Sequence, residues 1–139
     1  MKFNGICPCG STAFYKKCCH IIHLDITKAI TAQQLMQSRY TAFTLAMGNY
    51  LMESHHTSTR PVSEKKDIVN WAKSVKWEKL EILSTTKGLQ SDTEGTVEFK
   101  AFFHDKAVLE CIHENSTFVK EDGHWVYLGQ KLKTIPVLK

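Results

Sequence analysis

Four of the five cysteines fall in one short run, as Cys7-Pro8-Cys9, eight intervening residues, then Cys18-Cys19. Two close pairs of thiols joined by a short loop are a donor set for one tetrahedral zinc ion, each pair giving two thiolates from adjoining backbone. Pro8 stiffens the first pair, and Gly10-Ser11 is a turn that lets backbone approach the metal. Lys16 and Lys17 stand beside the second pair. Zinc held by four thiolates is a formal dianion, so nearby cations stabilise the bound state and lower the thiol pKa values. Disulfides fit less well: Met1 to Gly5 has no apolar h-region of a secretory signal, and adjacent Cys18 and Cys19 would form a strained bridge. A redox Cys-x-x-Cys beside a βαβ pattern is absent, and a plain buried-thiol cluster leaves the spacing unexplained. The metal reading is the expectation, with Cys7, Cys9, Cys18 and Cys19 as ligands and His20 as the one candidate substitute. The fifth cysteine, Cys111, reads as an ordinary thiol.

A second set of chemical groups sits late in the chain. Val108, Glu110, Ile112, Glu114, Ser116 and Phe118 alternate along one face of a strand. If Ile112 and Phe118 face the core, an acid and a hydroxyl face it too. A carboxylate so placed is costly unless it is paired or hydrated. The available cation is Arg39, next to Tyr40 and three residues from Met36 at the edge of an apolar helical stripe. The expected arrangement is a structural Arg39–Glu114 ion pair fixing helix to sheet. The alternative is a pocket floored by Glu114 and Ser116, with Arg39 and Tyr40 reaching in. His113 points to the opposite face by alternation, so no catalytic pair is expected. His55-His56 lies in a polar loop and reads as solvated.

The elements that would carry these groups come in a simple order. Residues 21–26 form an apolar connector without linker composition, so the cysteine knuckle packs on the main domain. Thr31 with Gln34 is a capping-box signature opening a helix to Met47, with Gly48 as its C′ residue. Met36, Tyr40, Phe43 and Met47 line its buried face. Asn49 caps a short second helix, and Ser63 caps a third over 64–75, with Ile68, Trp71, Ala72 and Val75 inward. Strands are expected over 77–86, 96–104, 107–120 and 124–132, the last two joined by a type I′ turn at Asp122-Gly123. Three helices and then four antiparallel strands make an α+β domain.

At 139 residues, 42% hydrophobic and 23% charged, the chain has the composition of a soluble globular protein with no membrane-span run. A charge of +4, reduced further by metal-bound thiolates, argues little for nucleic acid. Thiols kept as metal ligands point to a reducing cytoplasm.

Cys7, Cys9, Gly10, Ser11, Tyr15, Lys16, Cys18 and Cys19 match, position by position, the SEC-C motif, the zinc knuckle that ends the bacterial preprotein translocase ATPase. His20 stands where that motif commonly has glycine. Leu35 to Phe43 resembles the helix of the YchJ-like family of uncharacterised bacterial proteins, and Glu114-x-Ser116-x-Phe118 with Asp122 to Tyr127 is similar to its C-terminal half. The resemblance implies a knuckle over 1–20 and, over 21–139, a cone-shaped nuclear-transport-factor-two-like (NTF2-like) domain of helices on a curved sheet. The second knuckle of some members has no counterpart cysteines here. The resemblance to the translocase knuckle implies a zinc-dependent adaptor meeting a protein or ribonucleoprotein partner, with Lys2, Lys16 and Lys17 at the contact. The alternative is a small-molecule-binding or enzymatic cone with Glu114 in its cavity, as in isomerases and dehydratases of that fold.

Overall fold

The structure is a computed structural model that describes residues 4–130. Its frame is a four-stranded antiparallel sheet in sequential order: β1 Lys76–Lys87, β2 Glu94–Asp105, β3 Val108–Glu121 and β4 His124–Gln130. β2 is the clearest case of pattern becoming structure: Gly95, Val97, Phe99, Ala101 and Phe103 are buried while the residues between them are half-buried. Two register shifts in the β1–β2 pair and one at Thr117/Phe118 in the β3–β4 pair bend the strands, as bulges do, and curl the sheet. The β3–β4 hairpin turns on Asp122 (φ 54°) and Gly123 (φ 85°), the two positive values that a type I′ turn requires.

Four α-helices precede the sheet: α1 Cys19–Leu24, α2 Ala32–Thr44, α3 Gly48–Glu53 and α4 Lys65–Ser74. α2 lies against β1, β2 and β4 and fills the concave side. Its start is fixed as expected, since Thr31 Oγ1 accepts from Gln34 N (3.1 Å). The Gln34 side chain accepts from Ile30 N (2.8 Å), one residue earlier than in the usual capping box. The main core joins Leu35, Met36, Tyr40 and Ala42 of α2 to Val97, Phe99, Phe118, Trp125 and Val126 of the sheet.

Local chemistry departs from the sequence reading in four places. The stretch 21–26 is no simple connector, because α1 carries Cys19 at its first position and continues to Ile22 in the main core. α2 ends at Thr44, with Ala46 in the left-handed region (φ 55°) and Met47 N donating to Ala42 O (2.8 Å). Gly48 is therefore not its C′ residue but opens α3, whose N-cap is Met47 rather than Asn49. A Cβ on Gly48 would stand 2.7 Å from Val69 Cγ2, so close helix packing, not backbone conformation, requires glycine there. Ser63 falls within a 3-10 turn, Val62–Glu64, and α4 starts after it without a side-chain cap. The expected strand end at 132 lies outside the described residues.

Thr31→Ala removes an exposed cap and leaves the core untouched. Urea unfolding is expected to show a loss of about 1 kcal/mol with an unchanged m-value, and Thr31→Asp to restore it.

Candidate functional site

Two sites flank α2, one on each side. On the first, a bridge between Ile6 and Phe14, with Cys7 N donating to Ala13 O (2.8 Å), closes a small loop that brings Cys7 and Cys9 towards Cys18 and Cys19. All four sulfurs lie within 4.8 Å of one another, and Cys9 Sγ is 3.6 Å from Cys18 Sγ. A tetrahedral ion with metal–sulfur bonds of about 2.3 Å needs sulfur–sulfur edges of about 3.8 Å. The donor set fits a metal ion of that kind. Cys7, Cys9 and Cys19 are buried and Cys18 is half-buried, so the site is closed. His20 is not in the group, and its ring lies against Tyr15, centroids 5.1 Å apart.

The thiols also respond to one another. Hydrogen bonds from Cys19 and Cys9 hold Cys7 far below the usual thiol value, while Cys19, donating to Cys7 and Cys9 and deeply buried, is driven far above it. One thiolate forms readily and the next are opposed by it, so four together need a cation.

The knuckle is tied to α2 by two polar bridges that the sequence reading did not single out. Thr41 Oγ1, fully buried, donates to Cys19 Sγ (3.4 Å) and lies 3.6 Å from Cys7 Sγ. The Tyr15 hydroxyl donates to His23 Nδ1 (2.7 Å), and His23 Nε2–H donates to Ser38 O (2.8 Å). Burial lowers the His23 pKa, in keeping with the neutral tautomer that these bonds require. Lys16 and Lys17 are exposed in a 3-10 turn, Tyr15–Lys17, beside the cysteines; Lys2 lies outside the described residues.

On the other side of α2, the helices and the curved sheet enclose a cavity of about 290 Å³. Its walls are chiefly aromatic: Tyr40, Phe43, Trp71, Trp77, Phe99 and Tyr127. Trp71 stands edge-on to Trp77 (5.4 Å, 90°), and Trp77 edge-on to Tyr40 (5.6 Å, 86°). Among the lining residues only Arg39 and Glu114 carry charge.

Arg39 and Glu114 do not form the expected ion pair. Among the described residues, one lysine and three histidines stand within 4.0 Å of a carboxylate, and neither Arg39 nor Glu114 enters such a contact. The physical reason is that each has a nearer partner. Arg39 Nη1 donates to Leu51 O (3.0 Å) and Ser54 Oγ (2.8 Å) at the C-terminal end of α3, where a cation is favoured, and its guanidinium lies 4.6 Å over the Tyr127 ring. Burial pushes the Arg39 pKa down to about 10, so it stays charged at pH 7. Glu114, half-buried, accepts from Ser116 Oγ (3.0 Å), and Ser116 is fully buried beneath it. Strand alternation correctly placed Glu114 and Ser116 inward, but it holds no information on who bonds whom. His55, assigned in the sequence reading to a solvated loop, also lines the cavity, edge-on to Tyr127 (4.9 Å, 88°). Burial, with Arg39 and Arg60 nearby, pushes its pKa down to about 4, and it is neutral at pH 7. A pairing of residue 55 with Tyr127 across an isolated parallel bridge places it there, and no periodic signal in the sequence marks that bridge. Cys111 is exposed on β3, outside both sites. Among the described residues no helix is long and apolar enough to cross a membrane.

A curved antiparallel sheet closed by helices around a cavity, with a four-cysteine knuckle at its flank, defines an NTF2-like protein with a SEC-C-type metal-binding motif. Residues 31–130 match the family described as YchJ, middle NTF2-like domain, and the chain belongs to this YchJ-like family. It is 38% identical over 136 residues to the UPF0225 protein GSU1048 of Geobacter sulfurreducens, covering 97% of this chain and 84% of that one. It is 40% identical over 124 residues to the UPF0225 protein VV1358 of Vibrio vulnificus, covering 88% and 72%. The fold is similar to the solution structure of RPA3114, a SEC-C motif containing protein from Rhodopseudomonas palustris (TM-score 0.79, 28% identity, 92% of this chain and 98% of that one). It is also similar to the crystal structure of a SEC-C motif containing protein from Psychrobacter arcticus (TM-score 0.76, 30% identity, 94% and 84%).

The observed bonding gives Arg39 and Glu114 different hydrogen-bond partners and leaves only a longer-range attraction between them. Arg39→Met removes both charge-assisted bonds to the end of α3 and is expected to cost about 3 kcal/mol in urea unfolding. Glu114→Gln keeps an acceptor for Ser116 and is expected to stay within about 0.5 kcal/mol of the parent. Adding it to Arg39→Met should recover less than about 0.5 kcal/mol, whereas a direct ion pair would show a larger recovery.

Proposed function

We propose that this protein binds a small organic molecule in the cone, and that the cysteine knuckle holds one zinc ion as a structural clamp rather than a reaction centre. The observation that carries the reading is the open, aromatic-lined cavity with Glu114 inside it and not directly ion-paired to Arg39. An apolar chamber with a few convergent polar groups is the ordinary form of a small-molecule site, and about 290 Å³ is the lower end of its size range. The clamp reading is supported by the ligand set: four cysteines leave a tetrahedral ion no open position for substrate or water. Zinc when bound would supply the positive charge that four close thiolates need, and Thr41 would orient two of them from α2.

Metal analysis of protein purified without chelator is expected to give one zinc per chain. A mercurial that titrates the thiols should release it and lower the thermal midpoint by several degrees, since metal binding and folding of such a knuckle are linked. Zinc-free protein from a zinc-replete preparation would sink the clamp.

A second reading, an adaptor that meets a protein or ribonucleoprotein partner through the knuckle, is favoured by its surface. Lys16 and Lys17 are exposed beside Ile6 and Phe14, which are 51% and 58% exposed. One NMR experiment separates the two. The three tryptophans provide the reporters, because Trp71 and Trp77 line the cavity while the Trp125 indole donates to Ile30 O away from it. Under the cavity reading, a panel of bicyclic aromatic compounds includes members that shift the Trp71 and Trp77 indole signals saturably and spare Trp125. Ala101→Phe, which fills the floor, abolishes those shifts, and Lys16→Glu with Lys17→Glu leaves them unchanged. Under the adaptor reading, no compound shifts them and the lysine reversals instead abolish co-sedimentation with ribosomes or capture of a protein partner.

A further inference from the structure

The polar end of the cavity is built as two unlike half-sites, and this restricts what can enter. Arg39 uses only Nη1 to bond the protein; Nη2 and Nε are hydrogen-bonded to nothing among the described residues. Its plane is nevertheless fixed, by those two bonds and by the Tyr127 ring beneath it. Glu114 uses only Oε1, on Ser116, and Oε2 has no protein partner among the described residues. Both side chains line the same cavity, and both act electrostatically on the Tyr127 phenol, so they converge on one end of it. They remain beyond ion-pair distance of each other. A fixed donor and a fixed acceptor therefore stand apart with their unused atoms open to the same space.

We propose that the cone selects an uncharged, planar aromatic molecule carrying a carboxamide-type edge, with a hydrogen-bond donor directed to Glu114 and an acceptor directed to Arg39. This rests on the cavity reading above and names its ligand class. The reasoning is electrostatic. In an apolar chamber a charged group left without its partner is costly, and a charged ligand meets both signs at once. A carboxylate is attracted by Arg39 and opposed by Glu114; an ammonium is attracted by Glu114 and opposed by Arg39. An amide edge meets both half-sites with matching polarity and adds no charge. Its N–H bonds an ionised carboxylate and its C=O bonds a guanidinium, the stronger, charge-assisted kind of hydrogen bond on each side. The planar requirement comes from the walls, where Tyr40, Phe43, Trp71 and Trp77 present edges and faces to whatever lies between them.

Three probes with one body and different heads test this: 2-naphthamide, 2-naphthoate and 2-naphthylmethylammonium, each titrated against zinc-loaded protein while the tryptophan indole signals are monitored. The amide is expected to bind at least about tenfold more tightly than either charged probe, since a site built to pair a polar group rejects an analogue that leaves it unpaired. Glu114→Gln removes the negative half-site without emptying it. It should weaken the amide and strengthen the naphthoate, reversing their order, with circular dichroism confirming that the variant is folded. If the naphthoate or the ammonium matches the amide in the parent, or if Glu114→Gln leaves the order unchanged, the ligand class is wrong while the cavity reading stands. If none of the three moves the Trp71 and Trp77 signals, and no other bicyclic aromatic does so, both readings fall.

Discussion

A guanidinium held inside a small protein needs partners for the part it buries, and the way Arg39 is answered on that side sets much of this structure. It is 7% exposed and sits in the middle of α2. Its Nη1 satisfies Leu51 O and Ser54 Oγ, and the Ser54 hydroxyl in turn donates to Tyr50 O (2.7 Å). The end of α3, which would otherwise leave carbonyls bare in an apolar setting, is thereby closed by a cation. The chain leaving α3 is then held along β4: Tyr127 N donates to Ser54 O and His56 N to Tyr127 O, both at 2.8 Å. One charge thus joins α2, α3 and the last strand, and the face it leaves open becomes a wall of the cavity.

α2 serves the knuckle with its opposite face. Ser38 and Thr41 turn away from the cavity, while Met36, Arg39, Tyr40 and Phe43 turn into it. Ser38 Oγ donates to Leu35 O (2.7 Å) and receives the Tyr50 hydroxyl (2.6 Å), and its carbonyl receives His23. Thr41 reaches the cysteine sulfurs. All these groups are buried or nearly so, and each has a partner, which is the condition under which a polar network rigidifies a core rather than weakening it. Knuckle and cone have distinct apolar clusters, one of Cys7, Cys9, Tyr15 and Cys19 and one beginning at Ile22. They share a helix wall, and α1 runs from one cluster into the other.

What could be read from the sequence divides along physical lines. The cysteine group was legible because its members are close in sequence and its geometry is set by local turns. The sheet was legible because burial on one face imposes a period of two, as from Gly95 to Phe103. The inward face of Glu114 and Ser116 came from the same period. The choice of partner did not, because Arg39 is within reach of several acceptors and the nearest two belong to α3, whose position depends on Gly48 fitting against Val69. Thr41 and Ser38 were illegible for a related reason. A threonine and a serine inside a helix give no periodic signal of their own, and only the docking of residues 19–24 onto α2 gives them a task. His55 needed the long-range bridge to Tyr127 before it could be seen as a cavity residue.

The two sites finally bear on each other through charge. Four cysteines holding one ion would make a chemically quiet centre, with no vacant position on the ion, offering rigidity rather than reactivity. The cavity is the opposite, since Arg39 and Glu114 present to it hydrogen-bonding atoms that the protein has positioned but not used. None of those unused atoms is among the buried polar atoms without a partner in the described residues, so they stay open to whatever fills the cavity. Behind the same helix, by contrast, Ser38, Thr41, Tyr50 and His23 are bonded within the protein. The contrast places the unused bonding capacity at the cavity's polar end, where Arg39 Nη1 is held by Leu51 O and Ser54 Oγ and Glu114 Oε1 by Ser116.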